Sequence, residues 1–396
     1  MNRTEAMVAA QHVGEVAAQH ADESDALRRL APAVASAVFA SGLGRLVAPT
    51  ALGGDAVEPR LLAEVVESIA RRDASTAWCV GIGAGTNYLA GLVREDVAKE
   101  LFIDLAETGV GPFEPTGKAT KDGDVFNVSG RWRFSSNCHQ GGVLAAGVMM
   151  FDGDELLNVD EDGQPRPTLA FFARDQYEIV ETWDTVGMRG TGSHDTVVTD
   201  VNIGRDHFAS FYDTAWPDDA IYRLRPVELL GACLSPVALG IGQAALELVA
   251  SRAEQEAVQS GPARGLRARF IDDPVAQNVF AQADIRLRAA RALLHECLDK
   301  AYAKAEIGDR LTREETALLG LAHLEAMTAG GEAVDTAARI IGTASVREHS
   351  AMDRLRRDVD TARQHVMFTR SLNAPLGRQR AGIDTVQFPY LPPLGL

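Results

Sequence analysis

The sequence predicts an α+β fold in three consecutive parts: helices, then β-structure, then longer helices. Three observations carry this. Apolar residues recur at helical spacing in alanine-rich segments from about residue 5 to 107. Between about 110 and 205 the period shortens towards two, and Gly, Thr, Val, Phe and Trp become frequent. Helical spacing returns from about 226. The expected domains are therefore 1–110 (N-terminal α-helical), 111–225 (central β) and 226–396 (C-terminal helices and a tail).

In the first part, EPRLLAEVVESIARRD places Leu61, Leu62, Val65, Val66 and Ile69 on one helix face. Its neighbour ASTAWCVGIGAGTNYLAGLV is apolar nearly all round, as a helix buried among others should be. Breaks are expected at Ala48-Pro49 and around Gly53-Gly54. In the second part, KDGD (121–124) and DGDE (152–155) mark turns. DVFNVSGRWRFSSN reads as a hairpin, GGVLAAGVMMF as a buried strand, and PTLAFFA, YEIVETWDTVG and TVVTDVNIG as further strands. Four long helices follow, beginning at VELLGACLSPVALG, DPVAQNVFAQAD, REETALLGLAHL and MDRLRRDVDTARQHVMFTRSL. Asp273-Pro274 opens the second of them as an N-cap with proline in the first turn. Four such helices suit an antiparallel bundle, and the tail FPYLPPLGL suits extended surface packing.

The chain has 396 residues, and its 39 basic against 55 acidic side chains leave a net charge of −16, which repels phosphate backbones and anionic membrane surfaces. Neither nucleic acid nor membrane is an expected partner. Cys79, Cys138, Cys233 and Cys297 form no CxxC pair and read as reduced, buried thiols. No basic segment followed by an apolar one opens the chain, and no apolar run approaches about 18 residues, so the expected location is the cytoplasm.

The usual chemical motifs are missing. GIGAGTN (81–87) has nearly the spacing of a dinucleotide loop but lies inside an apolar helical stretch. No Walker motif, HExxH, GxSxG or metal-ligand spacing occurs. What remains is a polar constellation from SGRWRFSSNCHQ, WDTVGMRGTGSHD and RRDVDTARQHV. Trp132 and Trp183 can be sheet-packing residues or the wall for a flat conjugated ring. Ser135 and Ser136 can cap a turn, and His365 can be a structural histidine.

At these residues the chain resembles the acyl-CoA dehydrogenase superfamily, and within it the flavin-dependent monooxygenases that receive reduced flavin from a separate reductase. The resemblance runs through RRDASTAWCVG, SGRWRFSSNC, WDTVGMRGTGSHDTVVTDV, VALGIGQAALEL and LRRDVDTARQHV. It implies an N-terminal α-helical domain, a central β-barrel-like domain and a C-terminal four-helix bundle, assembled as a homotetramer or homodimer. It further implies that Trp132, Ser135 and Ser136 line the flavin ring, with one serine near its reactive centre, that Arg189, Thr191 and Ser193 help hold the cofactor or a neighbouring subunit, and that Arg267 meets the flavin phosphates. Trp78, Asn87 and Tyr88 are assigned to the substrate, and no metal is expected.

A dehydrogenase of this superfamily needs a carboxylate base, and many place a glutamate just past the late helix motif. Here that stretch reads RQHVMF; Glu247 and Glu254 are replacements in principle, but both read first as ordinary solvent-facing helix positions. The oxygenase reading instead asks for a water-poor pocket around a flavin hydroperoxide, which Ser136, His365 and Asp360 would serve as catalytic residues. Related hydroxylases often carry a histidine where this chain has Asp360. The resemblance thus implies hydroxylation of a small or medium phenol- or indole-like substrate with O2 and reduced FAD or FMN, FAD over FMN, supplied by an NAD(P)H:flavin reductase. Amine or amino-sugar N-hydroxylation and acyl-CoA dehydrogenation are the alternatives.

Overall fold

A computed structural model describes residues 1–159, 163–253 and 270–383. Helices α1 (Arg3–Gln19), α2 (Ala21–Leu27), α3 (Pro32–Ser41), α4 (Pro59–Ala70), α5 (Ala74–Tyr88) and α6 (Glu95–Leu101) form the first part. Local chemistry sets several of their starts. Asn2 and Glu5 make a reciprocal capping box on α1, and Asp73 caps α5 by accepting from Thr76 N at 2.7 Å. The expected apolar face of α4 is buried. GIGAGTN is helical within α5, so it forms no phosphate loop.

The strands β1 (Thr108–Val110), β2 (Gly117–Asp122), β3 (Val125–Ser135), β4 (Gly141–Asp152), β5 (Glu155–Leu156), β6 (Thr168–Ala173), β7 (Glu178–Val180), β8 (His194–Gly204) and β9 (Phe208–Ala209) belong to one sheet. Its order is β7-β8-β3-β2-β4-β6-β9, with β1 and β5 pairing against β4. DVFNVSGRWRFSSN is one long strand, β3, and not a hairpin in itself. It turns back on β2 through KDGD, where Gly123 takes φ 60°. YEIVETWDTVG is strand only over Glu178–Val180. Phe126, Val128, Trp132, Leu144, Val148 and Phe172 fill a core on one face of the sheet.

The last part comprises α7 (Pro226–Ser251), α8 (Pro274–Glu306), α9 (Arg313–Ile341), α10 (Ala351–Ala362) and α11 (Asn373–Arg380). Asp273 caps α8 with Pro274 behind it, as expected, and Thr312 with Glu315 boxes the start of α9. α7 corrects one expectation, because it is long and apolar enough to cross a membrane, yet most of it is buried inside the protein against α4, α5 and α9. A Cβ on Gly81 of α5 would lie 2.0 Å from the Cys233 carbonyl oxygen of α7, so this crossing needs glycine. It holds α5, with Trp78, against the late helices. The four cysteines are free and buried.

Candidate functional site

The site begins where β3 ends. Phe134 adopts φ 60° and Asn137 φ 70°, left-handed conformations that cost free energy for non-glycine residues. The kink turns Phe134 outward, 62% exposed, with its ring edge-on to Trp183 at 6.1 Å. It turns both serines inward. Ser135 is bound to Thr196 Oγ1 at 2.8 Å, whereas Ser136 Oγ accepts from Trp78 Nε1 at 3.2 Å and lies 2.7 Å from Ser193 Oγ.

Residues 183–193 pass over this point as a strap whose small residues let it lie directly on α10. A Cβ on Gly187 would fall 2.0 Å from the Arg357 carbonyl oxygen. Next to it, Met188 N donates to Asp358 Oδ1 at 2.6 Å and Arg357 Nη1 donates to Val186 O at 2.6 Å. The Met188 carbonyl in turn accepts from Trp183 Nε1 at 2.9 Å and from Thr191 Oγ1 at 2.7 Å. Thr191 Oγ1 and Ser193 Oγ are 2.7 Å apart. Just beyond the strap, His194 Nδ1 accepts from Thr182 N and Trp183 N, so its Nε2 carries the proton and donates to Arg28 O at 3.1 Å.

Trp78 joins this hydroxyl cluster to the end of the late motif, for its indole meets the His365 ring edge-on at 5.5 Å. His365 caps the short turn after α10 by accepting from Met367 N at Nδ1, 3.4 Å away. That bond puts the proton of the neutral ring on Nε2, which is free to donate. The residue as a whole is half-buried. The enclosed ring nevertheless loses hydration, and this lowers its pKa to about 4. Asp358 moves the other way: burial, reinforced by the nearby Asp73 charge, raises it to about 7 against the Met188 bond and two arginines. A small polar pocket beneath Gly190, lined by Ser24, Asp73, Ser75, Arg354 and Asp358 among others, has room for roughly one water. It is too small and too polar for an aromatic substrate.

The structure thus brings Ser136, Thr191, Ser193, Trp78 and His365 together, with Ser135 just behind. Five expected residues lie elsewhere. Trp132 is buried in the sheet core, where Nε1 donates to Gly147 O at 2.7 Å and the ring packs near Phe172, so it presents no face to a ligand. Asn87 spends its amide on the carbonyls of Gly44, Leu105 and Glu107. Tyr88 stacks on Tyr222 and donates to Leu224 O, fully buried. Asp360 is exposed and pairs with Arg363, the residue that follows its helix. Arg189 ties the strap down by donating to the carbonyls of Asp25 and Thr185, with ion pairs to Asp25 and Asp184, so these bonds make it an anchor of the strap. Glu247 pairs at the surface with Arg71, leaving no free base there. Arg267 and Glu254 lie outside the described residues.

Sequence reasoning missed Phe134 and Asp358. Alternation along β3 puts residues 132 and 134 on one face; the register shift between Trp132 and Ser135 and the left-handed Phe134 separate them. For Asp358 the signal was the Arg-Asp pair itself, two residues before the carboxylate singled out. A flat conjugated ring fits what remains: an exposed phenyl beside an indole, a hydroxyl at its edge and an imidazole N–H across Trp78.

Residues 232–370 match the family model described as acyl-CoA dehydrogenase, C-terminal domain. An indole-3-acetate monooxygenase of Pseudomonas putida is 32% identical over 348 residues, 87% of this chain and 85% of that protein. The FADH(2)-dependent resorcinol hydroxylase, oxygenase component, of a Rhizobium species is 23% identical, covering 74% of this chain and 72% of its own. Among solved structures, XiaF from a Streptomyces species in complex with FADH2 and glycerol superposes with a TM-score of 0.86 at 23% identity, over 96% of each chain.

Proposed function

The chain belongs to the flavin-dependent two-component monooxygenases built on the acyl-CoA dehydrogenase-like fold, and we propose that it hydroxylates a phenol- or indole-like aromatic substrate with O2 and reduced flavin. The observation that carries this reading is the pairing, across Trp78, of Ser136 with the neutral, Nε2-protonated His365. Its relatives, an indole-3-acetate monooxygenase and a resorcinol hydroxylase, support an aromatic substrate.

Phe134, Trp183 and Ser136 would hold the isoalloxazine, and FAD is favoured over FMN. Bound there, reduced flavin supplies the two electrons that let one atom of O2 enter the substrate and the other leave as water. The chain's own residues do the rest. Trp78 and Phe368 are buried, pack against the His365 ring and shield those sides of it from water. His365, uncharged at neutral pH, donates from Nε2 to an oxygen of the reacting pair, and because Nδ1 is engaged with Met367 N it orients and polarises without removing a proton. No carboxylate among the described residues of this cluster is placed as the base that acyl-CoA dehydrogenation needs.

Several further features belong to the same proposal. The division into an N-terminal helical domain, a β-barrel-like domain and a four-helix bundle suits the element order. The apolar rim of Phe134, Val186 and Val366 and the exposed Val275, Val279 and Ile285 on α8 suit burial against further copies in a homotetramer or homodimer. A separate NAD(P)H:flavin reductase and a cytoplasmic location complete it. The test is to supply reductase-generated FADH2 or FMNH2 under oxygen with a panel of phenols, indoles and amines. An oxygenated aromatic product is expected. Oxidation of amines alone, or bleaching of bound oxidised flavin by an acyl-CoA, overturns the reading.

A further inference from the structure

We propose that Thr191 and Ser193 are positioning residues that lock Ser136 as a hydrogen-bond acceptor, and that this polarity makes the site bind reduced flavin in preference to oxidised flavin. The proposal rests on the reading that Ser136 meets the flavin ring.

The polarity follows from counting protons. A carbonyl oxygen only accepts, so in the 2.7 Å contact between Thr191 Oγ1 and Met188 O the threonine is the donor. A hydroxyl has one proton, so Thr191 must accept in its 2.7 Å contact with Ser193, and Ser193 donates. Ser193 has then spent its own proton, so Ser136 donates in the 2.7 Å contact between those two. Trp78 Nε1, which only donates, takes one lone pair of Ser136. Ser136 Oγ is left with no proton to offer and one lone pair free.

Among the described residues these three hydroxyls have no further hydrogen-bond partner that would reset this order. Trp78, Ser136, Thr191 and Ser193 are all buried, and so is Met188 at the head of the chain. Met188 is itself held in place, with its N–H on Asp358 and its carbonyl shared with Trp183. The central ring of reduced flavin carries an N–H where the oxidised ring has only a lone pair. An acceptor-only Ser136 can bond the first and confronts the second with two lone pairs and no proton between them. The strap therefore reads the redox state of the ring through the direction of three hydroxyl protons.

The test is an anaerobic titration of the full chain by ultrafiltration with FAD and with FMN, each oxidised and photoreduced. Wild type is expected to bind the reduced forms at least about tenfold more tightly, the worth of one buried hydrogen bond. Ser193→Ala releases the Ser136 proton and should narrow the ratio by about tenfold, mainly by improving oxidised-flavin binding. Thr191→Val lets Ser193 donate back to Ser136 and should act in the same direction. Thr191→Ser keeps the hydroxyl and should keep the wild-type ratio. The proposal is overturned if wild type binds both redox states equally, if Ser193→Ala and Thr191→Val weaken both states by one common factor, or if Thr191→Ser behaves like Thr191→Val. Ser136→Ala separates the two levels. Unchanged affinity for both states removes Ser136 from the flavin and overturns the site reading, whereas a changed affinity with an unchanged ratio in the Ser193 and Thr191 variants overturns the relay alone.

Discussion

Replacing Asp358 by asparagine should change how stability depends on pH without undocking the strap. The carboxyl is buried between α10 and Met188, and its pKa is raised from 3.8 to about 7, chiefly by burial. The folded protein therefore keeps a proton that the unfolded chain releases near 3.8. Between those values the native state binds more protons than the unfolded state, so this group's contribution makes stability fall as pH rises, and it levels off above about 7. One such group has a slope of about 1.4 kcal/mol per pH unit, or about 4 kcal/mol across the whole window. His139, His323 and His365, all lowered to about 4, push the other way: the unfolded chain gains protons first, and stability rises with pH from about 4 to about 6.5. The informative quantity is thus the difference between two curves. In the variant the introduced amide oxygen still accepts from Met188 N, so the comparison isolates the titration. In urea unfolding from about pH 4.5 to about 8, D358N should gain on wild type by about 1.4 kcal/mol per unit up to about pH 6.5 and then run parallel. Parallel curves throughout, with the variant still folded, would show that Asp358 is an ordinary carboxylate and not one raised by burial.

Three further outcomes are expected. Gly187→Ala drives a methyl into the Arg357 carbonyl and should cost about 2 kcal/mol or more, read as a lowered urea midpoint together with weaker flavin binding; an unchanged midpoint refutes the docking. Phe134→Ala should lower reduced-flavin affinity about tenfold or more while leaving stability within about 1 kcal/mol, since the ring is mostly exposed, whereas Trp132→Phe, which loses the bond to Gly147 O, should do the reverse. Because His365 is neutral above about 4, product coupling should be flat from about pH 6 to 8; a limb near 6.5 that disappears in His365→Gln would show the imidazole to be charged in use.

The order of helices, sheet and helices was legible because it rests on local patterning: the helical spacing of apolar residues in α4 and the short, nearly continuous apolar runs of β4 and β6. Caps at Asp273 and the break before α4 were legible for the same reason, each depending on a few adjacent side chains. The site was legible only as motifs. Ser136 and His365 stood out as members of the polar segments SGRWRFSSNCHQ and RRDVDTARQHV that the family resemblance runs through. What each polar group is bonded to depends on contacts across long stretches of chain, such as Met188 with Asp358 or Asn87 with Gly44. Asn87, Tyr88 and Arg189 look functional in sequence because they are polar among small residues, and the fold uses all three to satisfy buried or docking carbonyls. Trp132 and Phe134 were inverted by a single bulge at the end of β3, an event with no periodic signature.

At the cluster of Ser136, Trp78 and His365, one atom of O2 is proposed to pass to an aromatic ring. The most direct test is turnover with enzymatically reduced FAD, ¹⁸O2 and a phenol or indole substrate, with mass analysis of the product. One heavy oxygen per hydroxylated product is predicted, with release of hydrogen peroxide rising and labelled product falling in His365→Ala. Product oxygen drawn from water, or labelled product formed equally well by His365→Ala and Ser136→Ala, would contradict the account.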